Sequence, residues 1–143
     1  MAVARSKRQM AELTEISIES RQRTELIKLD EYVAKAVARS GVKDGVCHVY
    51  VPHTTAGVII NEGADHDVAR DIVARLAHLV PHQGGYAHAS GNADAHIKAA
   101  LVGASATVFV RDGAPLLGRW QSIFLCEFDG PRRRKVLLRV ADT

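Results

Sequence analysis

The last third of the chain is written almost wholly in strand-forming residues. "ATVFVRDG", "PLLGRWQSIFLCEFDG" and "RRKVLLRVA" follow one another between Ala106 and Ala141, divided by Asp112-Gly113 and Asp129-Gly130. Asp-Gly between apolar runs signals a hairpin, because these residues accept the positive φ that a two-residue reversal demands. Consecutive strands joined by tight turns pair antiparallel, so this region excludes a repeating βαβ layout.

Upstream, strand and helix patterns are mixed. "AELTEISIES" alternates apolar and polar residues from Leu13 to Ile18, which predicts a half-buried strand. Leu29, Tyr32, Val33, Ala36 and Val37 recur at helical spacing, with Asp30 and Glu31 in the first turn and Gly41 as the stop. "VCHVYV" (Val46–Val51) and "AGVIIN" predict two strands, interrupted at Pro52 and His53 to Thr55. Asp65 or Asp67 is expected to cap a helix with the stripe Val68, Ile72, Leu76 and Leu79, ended by Pro81. The loop "PHQGGYAHASG" leads to a shorter helix, "ADAHIKAALVG", with Asn92 as N-cap and Gly103 as stop. The order predicts a single α+β domain over residues 1–143, a mixed or antiparallel sheet with a few helices on one side.

Bulk properties narrow the function classes. A chain of 143 residues with 47% apolar and 24% charged residues has the balance of one globular domain rather than a disordered segment. No run approaches the ~20 apolar residues that span a bilayer, and "MAVARSKRQMAELTEIS" lacks the apolar stretch of a signal peptide. A cytoplasmic location with no membrane partner is therefore expected. Cys47 and Cys126 stand far apart in apolar segments and are expected to be buried thiols. The net charge of +3 is mild, and "RRRK" at Arg132 to Lys135 has no aromatic platform beside it. Nucleic acid is not an expected partner; the basic run is expected on a hairpin or subunit rim. Trp120 and Phe124 are expected to serve core or subunit packing, which points to an oligomer.

Seven histidines are the main chemical signal. His48 lies in a strand, His66 in a capping turn, His78 on a polar helix face and His82 after a helix-ending proline, all ordinary places. His53 instead follows Pro52 where a strand breaks, His88 stands in the glycine-flanked loop, and His96 falls one turn into the short helix. A strand end, a loop and a helix start can present three imidazoles to one point, as an open divalent-metal site requires, with zinc the redox-silent default. Glu62, Asp65, Asp67, Asp71 and Asp94 lie in the same stretches; Glu62 and Asp71 are the candidate general bases, while Asp65, Asp67 and Asp94 serve equally as helix caps. A separate expectation is an anion site, with phosphate as first guest, at the start of the helix after Asn92. Thr54 and Thr55 would supply hydroxyls and Lys98 and Arg119 charge.

The stretches "HTTAGVIINEGADHDVARD", "GNADAHIKAALVGAS" and "RDGAPLLGRWQSIFLCEFDGPRRRKV" resemble the YjbQ-like family, often labelled secondary thiamine-phosphate synthase. The resemblance is strong from Tyr50 to Val140 and looser before it, and includes the Asn61-Glu62 pair, with Asn61 taken as a substrate-binding residue. It implies an α+β fold packed as a homotrimer, with a cleft where His53, His88 and His96 gather to hold a metal or anion. It also implies weak formation of thiamine phosphate from a pyrimidine pyrophosphate and a thiazole phosphate. His66 departs from the proline common in members, and position 92 varies among them. Three functional readings follow: a transferase on phosphorylated small molecules, a metal-dependent hydrolase with Glu62 or Asp71 as base, and a non-catalytic metal- or anion-binding module. A three-histidine site suits the Mg²⁺ chemistry usual for phosphates poorly, since Mg²⁺ prefers oxygen ligands.

Overall fold

Period-two burial builds the larger of two sheets. In the computed structural model, which describes residues 13–143, β1 (Leu13–Glu19), β8 (Arg133–Asp142), β3 (Gly45–Tyr50), β5 (Ser105–Arg111) and β6 (Ala114–Pro115) lie side by side in that order. The smaller sheet runs β2 (Glu25–Lys28), β7 (Gln121–Glu127), β4 (Ala56–Glu62). Every pairing is antiparallel. Two sheets thus replace the single expected one. The architecture is the expected α+β domain. Residues 1–12, on which the signal-peptide reading fell, lie outside the described part.

Alternate residues of the large sheet, among them Ile16, Ile18, Val49, Val108, Val136 and Leu138, enter one core with Ile123 and Leu125 of β7. Helix α1 (Asp30–Ser40) closes that core with Val33, Ala36 and Val37, and ends at Gly41 in the left-handed conformation, as its sequence predicts. Tyr32 stays exposed. β7 is buried on both faces. Its Cys126, with Phe128 just beyond it, packs the other way, against Ala95 and Ala99 of α3 (Ala93–Val102). The helices therefore do not share one side: α1 seals the main core, and α3 covers the opposite face of β7. Both cysteines are buried and free.

Helix α2 (His66–Leu79) starts as expected, with the Asp65 carboxylate accepting the Asp67 N–H at 2.9 Å. None of its residues is fully buried. No described helix is long and apolar enough to cross a membrane.

The two Asp-Gly pairs part company. Asp112 (φ 52°) and Gly113 (φ 76°) make the β5–β6 hairpin. Asp129-Gly130 makes none: it carries the chain from β7 in the small sheet to β8 in the large one. A Cβ at Gly130 would lie 2.2 Å from the Gln22 carbonyl oxygen, and the Gly130 N–H donates to Arg23 O at 2.9 Å. Glycine is needed there for close approach, not for reversal. The predicted long strand through "PLLGRWQSIFLCEF" shrinks to β7, leaving Trp120 outside it and 56% exposed while Phe124 is buried. Asn92 occupies the N-cap position of α3 but makes no cap bond.

Candidate functional site

β7 carries one carboxylate in an apolar run, and β8 carries one guanidinium at an inward position. Arg134 shares the buried face of β8 with Val136, Leu138 and Val140, while Arg133 and Lys135 point out. Glu127 is fully buried, and Arg134 is 4% exposed. Glu127 Oε1 accepts from Ser20 Oγ at 2.6 Å and Arg134 Nε at 2.9 Å; Oε2 accepts from Arg134 Nη2 and from the Asp129 N–H at 3.0 Å. Arg134 Nη2 also donates to Thr55 Oγ1 at 2.8 Å. Burial works to raise the Glu127 pKa, but these hydrogen bonds, chiefly from Arg134, outweigh it and hold the carboxyl below its ordinary range.

A second buried carboxylate lies in the first turn of α3. Asp94 accepts both guanidinium prongs of Arg23, at 3.1 and 3.2 Å, and the Lys98 ammonium at 3.0 Å. Lys98 follows Asp94 by four residues, so the two stack on one helix face. Burial opposes the charged form of Asp94, yet the Arg23 and Lys98 hydrogen bonds leave its pKa lowered.

Asp129 lies between the two clusters: its N–H donates to Glu127, and the Arg23 charge acts on its carboxylate. Asn92 Nδ2 donates to it at 2.9 Å and Arg132 at 2.8 Å, and these bonds hold its pKa down against burial. The pull of Asp129 explains why Asn92 does not cap α3: its amide is turned toward the 129–132 turn, leaving Oδ1 buried without a partner. In this connected network Asp94, Glu127 and Asp129 face Arg23, Lys98, Arg132 and Arg134, three carboxylates against four cations. The extra cation is at Asp94, which Arg23 and Lys98 share, while Glu127 and Asp129 each pair with one arginine.

The histidines flank this network. His88 and His96 meet edge to face, with ring centroids 5.2 Å apart and planes at 86°. His88 also lines a cleft of about 320 Å³ in the loop, with His82 and Tyr86. His82 Nε2 donates to Gly91 O at 3.0 Å, and the Tyr86 hydroxyl donates to Pro81 O, so the loop is held by its own bonds. His53 lies against β8, where its Nε2 accepts the Lys135 N–H at 2.9 Å. Desolvation first, and the Arg134 charge next, lower the His53 pKa.

The divalent metal implied by the resemblance does not fit this donor set. Among the described residues no three His, Cys, Asp or Glu side chains are grouped to hold an ion. Two of the three expected imidazoles converge within one chain, and His53 is not the third.

Burial and pairing place the other candidate residues. Lys98 is 3% exposed and pairs with Asp94. Asp94 lies in the first turn of α3, where a negative charge suits the helix dipole. Thr55 is buried on Arg134, whereas Thr54 is exposed. Asn61 Oδ1 accepts the neighbouring Glu62 N–H, and Glu62 accepts the Ala64 N–H at 2.8 Å, both local turn bonds. Asp71 lies exposed on α2 beside Arg75 and His78. Arg119 stacks on Trp120 at 4.9 Å from the ring centroid. "RRRK" is a rim only in part: Arg132, Arg133 and Lys135 pair with Asp129, Glu19 and Glu15, and Arg134 is interior. Sequence reasoning missed Glu127, Arg134, Arg23 and Ser20, although the lone carboxylate in "IFLCEF" and the phase of Arg134 with Val136 were visible.

Residues 14–143 match the family model described as UPF0047 protein YjbQ-like. The chain is 49% identical over 128 residues to UPF0047 protein MJ1081 of Methanocaldococcus jannaschii, covering 90% of this chain and 93% of that one. It is 40% identical to UPF0047 protein YugU of Bacillus subtilis, covering 90% and 98%. A crystal structure of an uncharacterized conserved protein of the YjbQ/UPF0047 family from Clostridium acetobutylicum superposes with a TM-score of 0.88 at 46% identity, covering 89% and 98%. A YbjQ-like protein of unknown function from Sulfolobus solfataricus does so with 0.89 at 30% identity, covering 93% and 98%. With sequence matches across nine-tenths of its length and the same fold in solved relatives, the chain belongs to the YjbQ-like UPF0047 family.

Proposed function

We propose that the chain binds an oxyanionic small molecule, of the phosphorylated class, on the face where His53 and Asn92 flank the 129–135 segment. The observation that carries this reading is the Arg132 guanidinium, which stays 52% exposed while it pairs with Asp129, three residues before the Lys135 N–H that His53 accepts. Arginine presents its fork to phosphate or carboxylate oxygens, and Thr54 offers a hydroxyl nearby in sequence. In its enzymatic form the reading is the thiamine-phosphate-forming transfer implied by the resemblance. There a pyrimidine methylene–oxygen bond breaks as pyrophosphate leaves, and a bond to the thiazole nitrogen forms. Both substrates carry oxyanions, and a preorganised cation stabilises the departing charge. Metal-assisted hydrolysis by Glu62 or Asp71 finds less support, since neither stands in a group of metal donors among the described residues.

Homotrimeric assembly belongs to the same proposal. Leu79, Leu101 and Phe109 are each more than 60% exposed, apolar surface of the kind that marks an interface.

Thermal melting against inorganic phosphate, pyrophosphate and thiamine phosphate tests the reading. A ligand at 100 times its Kd stabilises by about 2.7 kcal/mol. Arg132→Gln is expected to abolish most of the shift. No response to any of the three would defeat the proposal.

A further inference from the structure

Pairing of β3 with β8 stops at Tyr50 and Leu137. Pro52 then follows on the β3 side, with no N–H to continue a ladder. Two residues before Leu137, the Lys135 N–H meets the imidazole of His53 instead of a backbone carbonyl. A ring nitrogen that accepts a hydrogen bond has a lone pair and no proton, so the neutral ring carries its hydrogen on Nδ1. The flipped ring would set carbon against this N–H and leave a backbone donor unsatisfied. In the observed state neither nitrogen has a lone pair for a metal, since Lys135 takes the one on Nε2 and a proton covers the other. Burial and the nearby Arg134 charge favour the neutral ring at pH 7.

We infer that His53 recognises its ligand as a neutral Nδ1–H donor to an acceptor oxygen and is not a metal ligand. Nδ1 has no hydrogen-bond partner among the described residues. The Nε2 of His53 is fixed on the Lys135 N–H, in the same short segment that carries the half-exposed Arg132, so the acceptor its Nδ1–H meets is the oxygen of an anion. The identity of this ligand rests on the anion-binding reading above. The position of the proton does not, because it is a property of the free chain.

Long-range ¹H–¹⁵N correlation of the histidine-labelled full chain at pH 7.5 reads the proton directly, with His53→Gln assigning the signals. The expected spectrum shows His53 protonated on Nδ1 only. Zinc added alone should leave that pattern unchanged, and inorganic phosphate should shift its Nδ1–H. A proton on Nε2, or zinc-induced loss of the Nδ1–H, overturns the assignment. Phosphate that raises the melting temperature without moving the His53 signals overturns the donor role. A complete absence of phosphate effects removes the anion reading and the donor role with it, while the spectrum still decides the metal question.

Discussion

Arg134 stands in a run of four basic residues, and only its place on the β8 pleat separates it from its neighbours. Facing inward, it must meet a carboxylate, because an unpaired buried charge is prohibitively costly. Arg134→Met is therefore expected to destabilise by about 3–5 kcal/mol, leaving Glu127 buried and unmatched. The double change with Glu127→Leu should recover most of that loss, as read from urea unfolding midpoints. Acid exposes the same residues. His53, Asp94, Glu127 and Asp129 all have lowered pKa values, so the unfolded chain binds protons the folded chain refuses. Their stabilisation is full above the unfolded pKa and lost as pH falls through the folded one. The unfolding midpoint should start to drop below about pH 6.5, from His53, and drop more steeply below about pH 4, from the carboxylates. His53→Gln should remove the first phase and leave the second.

The elements differ in how much of them the pattern along the chain reveals. β1, α1 and α3 each bury one face or stripe, and their periodicity is legible for that reason. β2 escaped notice: four residues, three of them half-buried, offer no alternation to read. β7 hides its period because the core takes one face and α3 the other. That approach of α3 depends on Gly57 in β4, where a Cβ would fall 2.5 Å from a Val102 methyl and 2.6 Å from Gly103 O. Gly57→Ala should cost about 1–3 kcal/mol by forcing the helix away, measurable as a lowered urea midpoint. α2 lies at the other extreme, with no residue fully buried. Its amides should exchange with deuterium ahead of those of α1 and β7, and Asp65→Ala should weaken the helix by about 1 kcal/mol through loss of its cap.

At the scale of the molecule, two antiparallel sheets and the α3 layer leave apolar side chains on several outer surfaces. Light scattering at micromolar concentration is expected to give three times the chain mass. A double change of Leu101→Asp and Phe109→Asp, both exposed within one chain, should then lower the mass without lowering the monomer's secondary structure. A wild-type monomer would sink the proposed assembly.

What the sequence determined by itself was local: most element types, the Asp65 cap, the Asp112-Gly113 reversal, the buried thiols and the family motifs. These depend on neighbours a few residues away, within reach of pattern and propensity. Tertiary structure alone decided that Asp129-Gly130 crosses between sheets, that Lys98 answers to Asp94, and that Arg134 meets Glu127. It also decided that His53 meets a backbone N–H eighty-two positions away rather than two other imidazoles. Hydrogen-bonding state is set by whichever group lies across the space between strands, and a linear pattern carries no coordinate for that direction.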